Sequence, residues 1–228
     1  MKNRFAEDGI NEQLPALSRS SGREILATKY PHAVALCPSA LDLHDAICAC
    51  VARVVRSGSS TRTLDFATLD RLFARIEATA PQWVAAEPVL QQRILFDFYV
   101  NMYASAIAPG VERDETISFI ASKLGMYQGA AEMRQLHDVP TVETESHFQT
   151  GLWSLPTSER PSHRVRDQGS RRFANTCLAK HLLSEAAAAI CLNEPLLLVG
   201  ETGTGKTSTL QQLAHLTHVS DLICGLPA

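Results

Sequence analysis

Pro195-Leu196-Leu197-Leu198-Val199-Gly200-Glu201-Thr202-Gly203-Thr204-Gly205-Lys206-Thr207-Ser208 sets a short apolar run directly before a glycine-rich turn and a lysine. An apolar run this short, bounded by proline and glycine, has the pattern of a buried parallel strand. Thr207 to His215 has the pattern of a helix. Strand, glycine-rich loop and helix form the context that the pattern G-x-x-x-x-G-K-[ST] requires of a phosphate-binding loop.

The chemistry explains the residue types. An anion is held by several backbone N–H groups that converge on it. Gly200, Gly203 and Gly205 let the chain turn through angles that a side chain would forbid. The first turn of the following helix adds unpaired N–H groups and the positive end of its dipole. Lys206 is a compact cation with reach to β- and γ-phosphates, and Thr207 carries the hydroxyl that would ligate Mg²⁺. Glu201, Thr202 and Thr204 fill variable positions, and Ser208 follows in the first helical turn.

Binding is not hydrolysis. P-loop ATPases take a further acidic residue from another strand, and commonly an arginine from elsewhere. The twenty-two residues after Lys206 hold a single acid, Asp221, in Ser220-Asp221-Leu222-Ile223-Cys224-Gly225. They also supply no second strand for Pro195–Val199. The expectation is a loop poorly preorganised by itself, which binds ATP and Mg²⁺ without turning ATP over.

Upstream, Phe173 to Leu192 reads as an alanine-rich helix. Residues 136–170 are rich in Pro, Thr, Ser and Glu and read as a linker, with a short extended piece at Phe148 to Leu155. Arg160, His163, Arg164, Arg166, Arg171 and Arg172 form a basic cluster within and just beyond it, either a solvated connector or a phosphate contact. Most of residues 1–135 read as helix. Asp42 to Val55 carries Ile47, Cys50, Val51, Val54 and Val55 on one stripe, and Phe66 to Ala78 carries Leu69, Leu72, Phe73 and Ile76. Val89 to Ile107 carries Ile94, Leu95, Phe98 and Met102, and Glu115 to Leu124 is closed by Gly125. These stripes read as the core of a helical bundle.

With 228 residues, 45% apolar content and a net charge of −3, the chain has the composition of a globular protein and not of a disordered or collagenous one. No apolar run approaches the roughly 20 residues that span a bilayer. The slight acidity argues against a dedicated sequence-specific nucleic-acid binder. Six cysteines without CxxC spacing read as reduced thiols. Cys48 with Cys50, and His215 with His218, are the close pairs, and neither has a third ligand nearby for zinc.

The string Glu194–His215, with the helix before it, closely resembles an internal AAA+ module of the midasin family, the giant dynein-related ATPases of large ribosomal subunit assembly. Asn3-Arg4-Phe5-Ala6-Glu7 resembles the end of a preceding module, and Thr68-Leu69-Asp70-Arg71-Leu72 resembles its helical lid. The resemblance implies a mostly α fold with a partial α/β P-loop element. A helical lid-type bundle (1–135) and a linker (136–170) would precede a truncated AAA+ αβα core (171–228). It implies Gly200–Ser208 as the nucleotide site, Thr207 as Mg²⁺ ligand and Arg4 as an arginine finger reaching a neighbouring module. It further implies other AAA+ modules of a ring and the pre-60S particle as partners, in the nucleus. The sequence departs from the family after the loop. Leu213–His218 runs almost directly into Val219–Gly225, without the intervening strand or the Walker B acids, and Ala67 stands where the family tends to place arginine. Two other readings are a helical interaction module with a vestigial loop and a small P-loop kinase or GTPase, although no base-recognition element is legible.

Overall fold

The computed structural model describes residues 18–54, 64–105, 107, 110–126, 139–157, 174, 176–198, 200–201 and 203–217. The chain opens with three helices: α1 (Arg19–Lys29), α2 (Pro31–Leu36) and α3 (Ala40–Val54). Ser18 caps α1 by accepting a hydrogen bond from the Ser21 amide, and Pro31 starts α2, where its missing N–H costs nothing. On α3 the buried residues are Ala40, His44, Ile47, Cys50 and Val51, close to the stripe expected from the sequence.

α4 (Phe66–Trp83) is the central helix of the bundle. Asp65 and Thr68 cap it reciprocally, and Leu69, Leu72, Phe73 and Ile76 are fully buried. It runs past the expected end at Ala78 and through Pro81. Trp83 anchors this last turn in the core, with its indole N–H donating to Thr79 Oγ1.

α5 (Pro88–Tyr99) passes into a π-helical turn, Val100–Ala104, where Tyr99 stacks on Tyr103 with ring centroids 5.8 Å apart. α6 (Val111–Lys123) begins earlier than the sequence suggested, with Glu112 and Asp114 in a first turn that favours negative charge. Its end is a Schellman motif. Gly125 takes φ +75°, its amide donates to Ser122, and the Met126 amide donates to Ala121.

Within the stretch expected to be a linker, three strands form an antiparallel meander: β1 (Thr141–Glu143), β2 (His147–Thr150) and β3 (Trp153–Pro156). Thr150 pairs with Trp153 across the two-residue turn Gly151-Leu152. Gly151 sits at φ +58°, the first central position of such a turn, where glycine is favoured. Alternate residues Phe148, Thr150, Trp153 and Leu155 are buried. The meander lies against α7 (Cys177–Cys191), which also packs on α8 (Lys206–Thr217). Trp153 meets Phe98 of α5 edge-on at 6.5 Å, and Gln82 of α4 donates to the Leu152 carbonyl. One continuous core therefore runs from the bundle through the meander to Leu183, Ala186, Ala187, Ala188 and Leu213.

The fold is mostly α, as expected, with a small antiparallel sheet. The strand expected at 195–199 does not form: residues 195–198 are irregular, and Leu197 is 84% exposed. A strand exists through its neighbours, and among the described residues no strand lies beside this run. The αβα layering expected of the C-terminal part is accordingly not seen among the described residues.

Candidate nucleotide-binding loop

The glycine-rich stretch folds as a turn that opens α8. Gly203 and Gly205 adopt φ +86° and +84°, and an added Cβ at either would touch nothing within 4 Å. These glycines are therefore required by backbone conformation and not by space. At Gly200 a Cβ would stand 3.3 Å from Thr204 Oγ1, so here the space itself is close-fitting.

Lys206, the first residue of α8, folds back over the turn. Its ammonium donates to the carbonyls of Gly200 at 2.9 Å and Glu201 at 2.6 Å, and to Thr204 Oγ1 at 3.2 Å. The Thr204 hydroxyl in turn donates to the Glu201 carbonyl at 2.8 Å. Thr207 and Ser208 are exposed at the start of α8, where the helix presents unpaired N–H groups. Behind them Thr209 is buried, with its amide and its hydroxyl both bonded to the Gly205 carbonyl. Leu213 and Ala214 fix the far face of α8 in the core. Of the residues read as a site from the sequence, Gly200, Glu201, Gly203, Thr204, Gly205, Lys206, Thr207 and Ser208 thus sit around one turn. Thr202 and Arg4 lie outside the described residues, as do the basic cluster at 160–172 and Asp221.

α7 ends nine residues before Gly200, in a second Schellman motif. Asn193 takes φ +52°, its amide donates to Ile190, and the Glu194 amide donates to Ala189 at 2.7 Å. The Glu194 side chain is held from the bundle. Arg75 of α4 donates through Nη2 to Glu194 Oε2 at 2.8 Å and through Nη1 to Glu185 Oε2 of α7, also at 2.8 Å. Side-chain exposures of 12% for Arg75, 27% for Glu185 and 13% for Glu194 place the triad well out of water. Asn101, from the π-helical turn, donates to Glu185 Oε1, whereas Glu194 Oε1 is buried with no partner among the described residues. Asp97 is an exposed residue, yet burial of its carboxyl, then the charge of Glu185, push it up to about 6 against the pull of Arg93. Sequence reading missed Arg75, Glu185, Glu194 and Asn101 as a group, because no local pattern marks a contact across 119 residues.

The other sequence candidates have different surroundings. Cys48 Sγ lies 3.6 Å from His44 Nε2, and His44 Nδ1 lies 2.6 Å from the Tyr103 hydroxyl. Burial, then Asp45 and Asp65, push the Cys48 thiol up to about 11. Cys50 faces Arg53 instead. Among the described residues, no group of three or more His, Cys, Asp or Glu side chains could hold a metal ion, and no helix is long and apolar enough to cross a membrane.

No family model matches the chain, and no solved structure matches it. A curated midasin from Dictyostelium discoideum is 30% identical over 118 residues, which is 52% of this chain. A midasin from Giardia intestinalis is 44% identical over 78 residues, or 34% of this chain. The chain spans about 2% of the length of each of these relatives. Over the stretches so matched, the chain is midasin-like.

Proposed function

We propose that residues 200–208 bind the triphosphate of ATP with Mg²⁺, as the P-loop of a midasin-like AAA+ module. The observation that carries this reading is the turn itself. Two glycines in left-handed conformations deliver the chain to a helix N-terminus, and Lys206 lies across that turn with loop oxygens as its partners among the described residues. A triphosphate offers the same ammonium a charged acceptor, stronger than a neutral carbonyl. The Thr207 hydroxyl, exposed at the first turn of α8, is the candidate Mg²⁺ ligand.

Further roles follow from the likeness to midasin alone. In a full ring, Arg4 would reach the nucleotide of a neighbouring module, and turnover would drive remodelling of pre-60S particles in the nucleus. The described residues supply no acid from a paired strand beside the loop, so the chain alone should bind without measurable turnover.

The test is Mg-ATP titration of the chain and of Lys206→Ala, read as thermal stabilisation. A ligand selective for the native state at about 100 times its Kd adds about 2.7 kcal/mol. For a chain of this size that raises Tm by roughly 5–10 °C. Lys206→Ala should abolish the rise. A wild-type chain that Mg-ATP neither binds nor stabilises would leave a second reading, a helical interaction module with a vestigial loop. The unpaired run at 195–198 favours that alternative.

A further inference from the structure

We infer that Arg75, a residue of the helical bundle, is a positioning residue for the nucleotide loop, acting through Glu194. This inference rests on the reading of residues 200–208 as a nucleotide site. The loop has two ends. Its C-terminal end is fixed by α8, whose Leu213 and Ala214 are buried and which packs on α7. Its N-terminal end has no such support. Residues 195–198 make no sheet hydrogen bonds, and Leu196 and Leu197 are exposed. Among the described residues, the last one upstream of the loop held by a hydrogen bond or ion pair is Glu194.

Two sets of contacts hold Glu194. Its backbone closes the α7 C-terminus onto Ala189, and its carboxylate takes both Nε and Nη2 of Arg75. The third nitrogen of the same guanidinium, Nη1, goes to Glu185, two turns back on α7. A planar fork that grips two points of one helix end fixes its direction as well as its position. Asn101 completes the arrangement by holding the other oxygen of Glu185. The π-helical turn that carries Asn101 belongs to the bundle, so two bundle elements set where the chain leaves α7 for the loop. In a P-loop flanked by paired strands the sheet would do this work. Here the ion triad does.

The experiment compares four chains: wild type, Arg75→Lys, Arg75→Met, and the neutral triple variant Arg75→Met, Glu185→Gln, Glu194→Gln. Removing Arg75 alone strands two carboxylates and destabilises the fold, whereas the triple variant leaves no buried charge unpaired. Two quantities are read in each: Mg-ATP affinity, and amide exchange at Leu192–Glu194, which are protected by their bonds to Ala188, Ile190 and Ala189. The triple variant should keep wild-type protection along α3 and α4. Its exchange at 192–194 should accelerate, and its ATP affinity should fall, by about tenfold each, the equivalent of one charge-assisted hydrogen bond. Arg75→Lys, which lacks the fork, should fall between. A triple variant that folds with wild-type affinity, or with unchanged exchange at 192–194, overturns the inference. If the wild-type chain binds no Mg-ATP, the functional reading fails, and the exchange data alone decide whether Arg75 anchors the end of α7.

Discussion

The hairpin turn at Gly151 gives a sharp test of how the meander meets α7. Gly151→Ala and Gly125→Ala place a methyl group at two left-handed positions, φ +58° and +75°. Forcing an L-residue into this region costs about 1–2 kcal/mol. Loss of glycine freedom in the unfolded chain returns about 0.4–1 kcal/mol. At Gly125 the new Cβ meets nothing within 4 Å, so the balance of these effects, a net loss of roughly 0.5–1.5 kcal/mol, should be the whole effect. At Gly151 the new Cβ would stand 3.1 Å from Ser184 Oγ on α7 and 3.2 Å from Val139 Cγ1. Both neighbours must retreat, which adds about 1–3 kcal/mol of overpacking. The expected loss for Gly151→Ala is therefore roughly 2–4 kcal/mol. Urea unfolding at 25 °C, followed by tryptophan fluorescence and by far-UV circular dichroism, reads both variants and checks two-state behaviour. Ser184→Ala in the Gly151→Ala background should recover about 1 kcal/mol, and should recover nothing beside Gly125→Ala. Equal losses at the two glycines, with no recovery from Ser184→Ala, would show that the turn does not rest on α7.

Two further outcomes follow from buried titratable groups. Burial holds the His44 imidazole below its ordinary value of 6.5, so the unfolded chain takes up the proton first as pH falls. Stability should be full above pH 6.5 and should decline below it. His44→Gln should flatten that decline, and identical Tm profiles from pH 8 to 5 would contradict the assignment. Burial also pushes the Cys37 and Cys48 thiols up to about 11, whereas Cys177 is exposed at the start of α7. Alkylation of the native chain at pH 8, mapped by mass spectrometry, should label Cys177 well before Cys37 or Cys48, since Cys177 is accessible and burial suppresses the thiolates of the other two. Early labelling of Cys48 would mean that α3 opens.

Much of the bundle was legible because its signal is local. Leu69, Leu72, Phe73 and Ile76 recur at helical spacing, and all four are fully buried. Gly125 closed the expected helix and sits at its αL cap. The meander was hidden in its surroundings. Its strands are three or four residues long, and the Thr-, Ser- and Glu-rich stretch on its N-terminal side dilutes the alternation of Phe148, Thr150, Trp153 and Leu155. The run at 195–198 failed in the opposite direction. Its composition is that of a strand, but pairing is a property of two segments, and composition reports only one. For the loop, Gly203 and Gly205 could be read because each answers to its own backbone. Arg75 could not, since its role exists only once α4 and α7 are side by side.

These differences bear on how such a loop is made ready. A phosphate site needs its N–H groups fixed before the ligand arrives, because ordering them afterwards draws on binding free energy. Gly203, Gly205 and Thr209 fix the downstream half locally, through left-handed turns and two bonds to the Gly205 carbonyl. Lys206 ties the two halves together through bonds to the Gly200 and Glu201 carbonyls. A ligand that takes the ammonium breaks those ties, and the upstream half then depends on what holds Glu194. The segment from Pro195 to Leu198 has no strand beside it among the described residues, so a neighbouring strand that paired with it would be a second support for the same end of the loop. Adding such a strand in trans should therefore raise Mg-ATP affinity more in Arg75→Met than in wild type, because the two supports act on the same end of the loop. Equal gains in both backgrounds would mean that the supports are independent, and that Arg75 does not act on the loop through its upstream end.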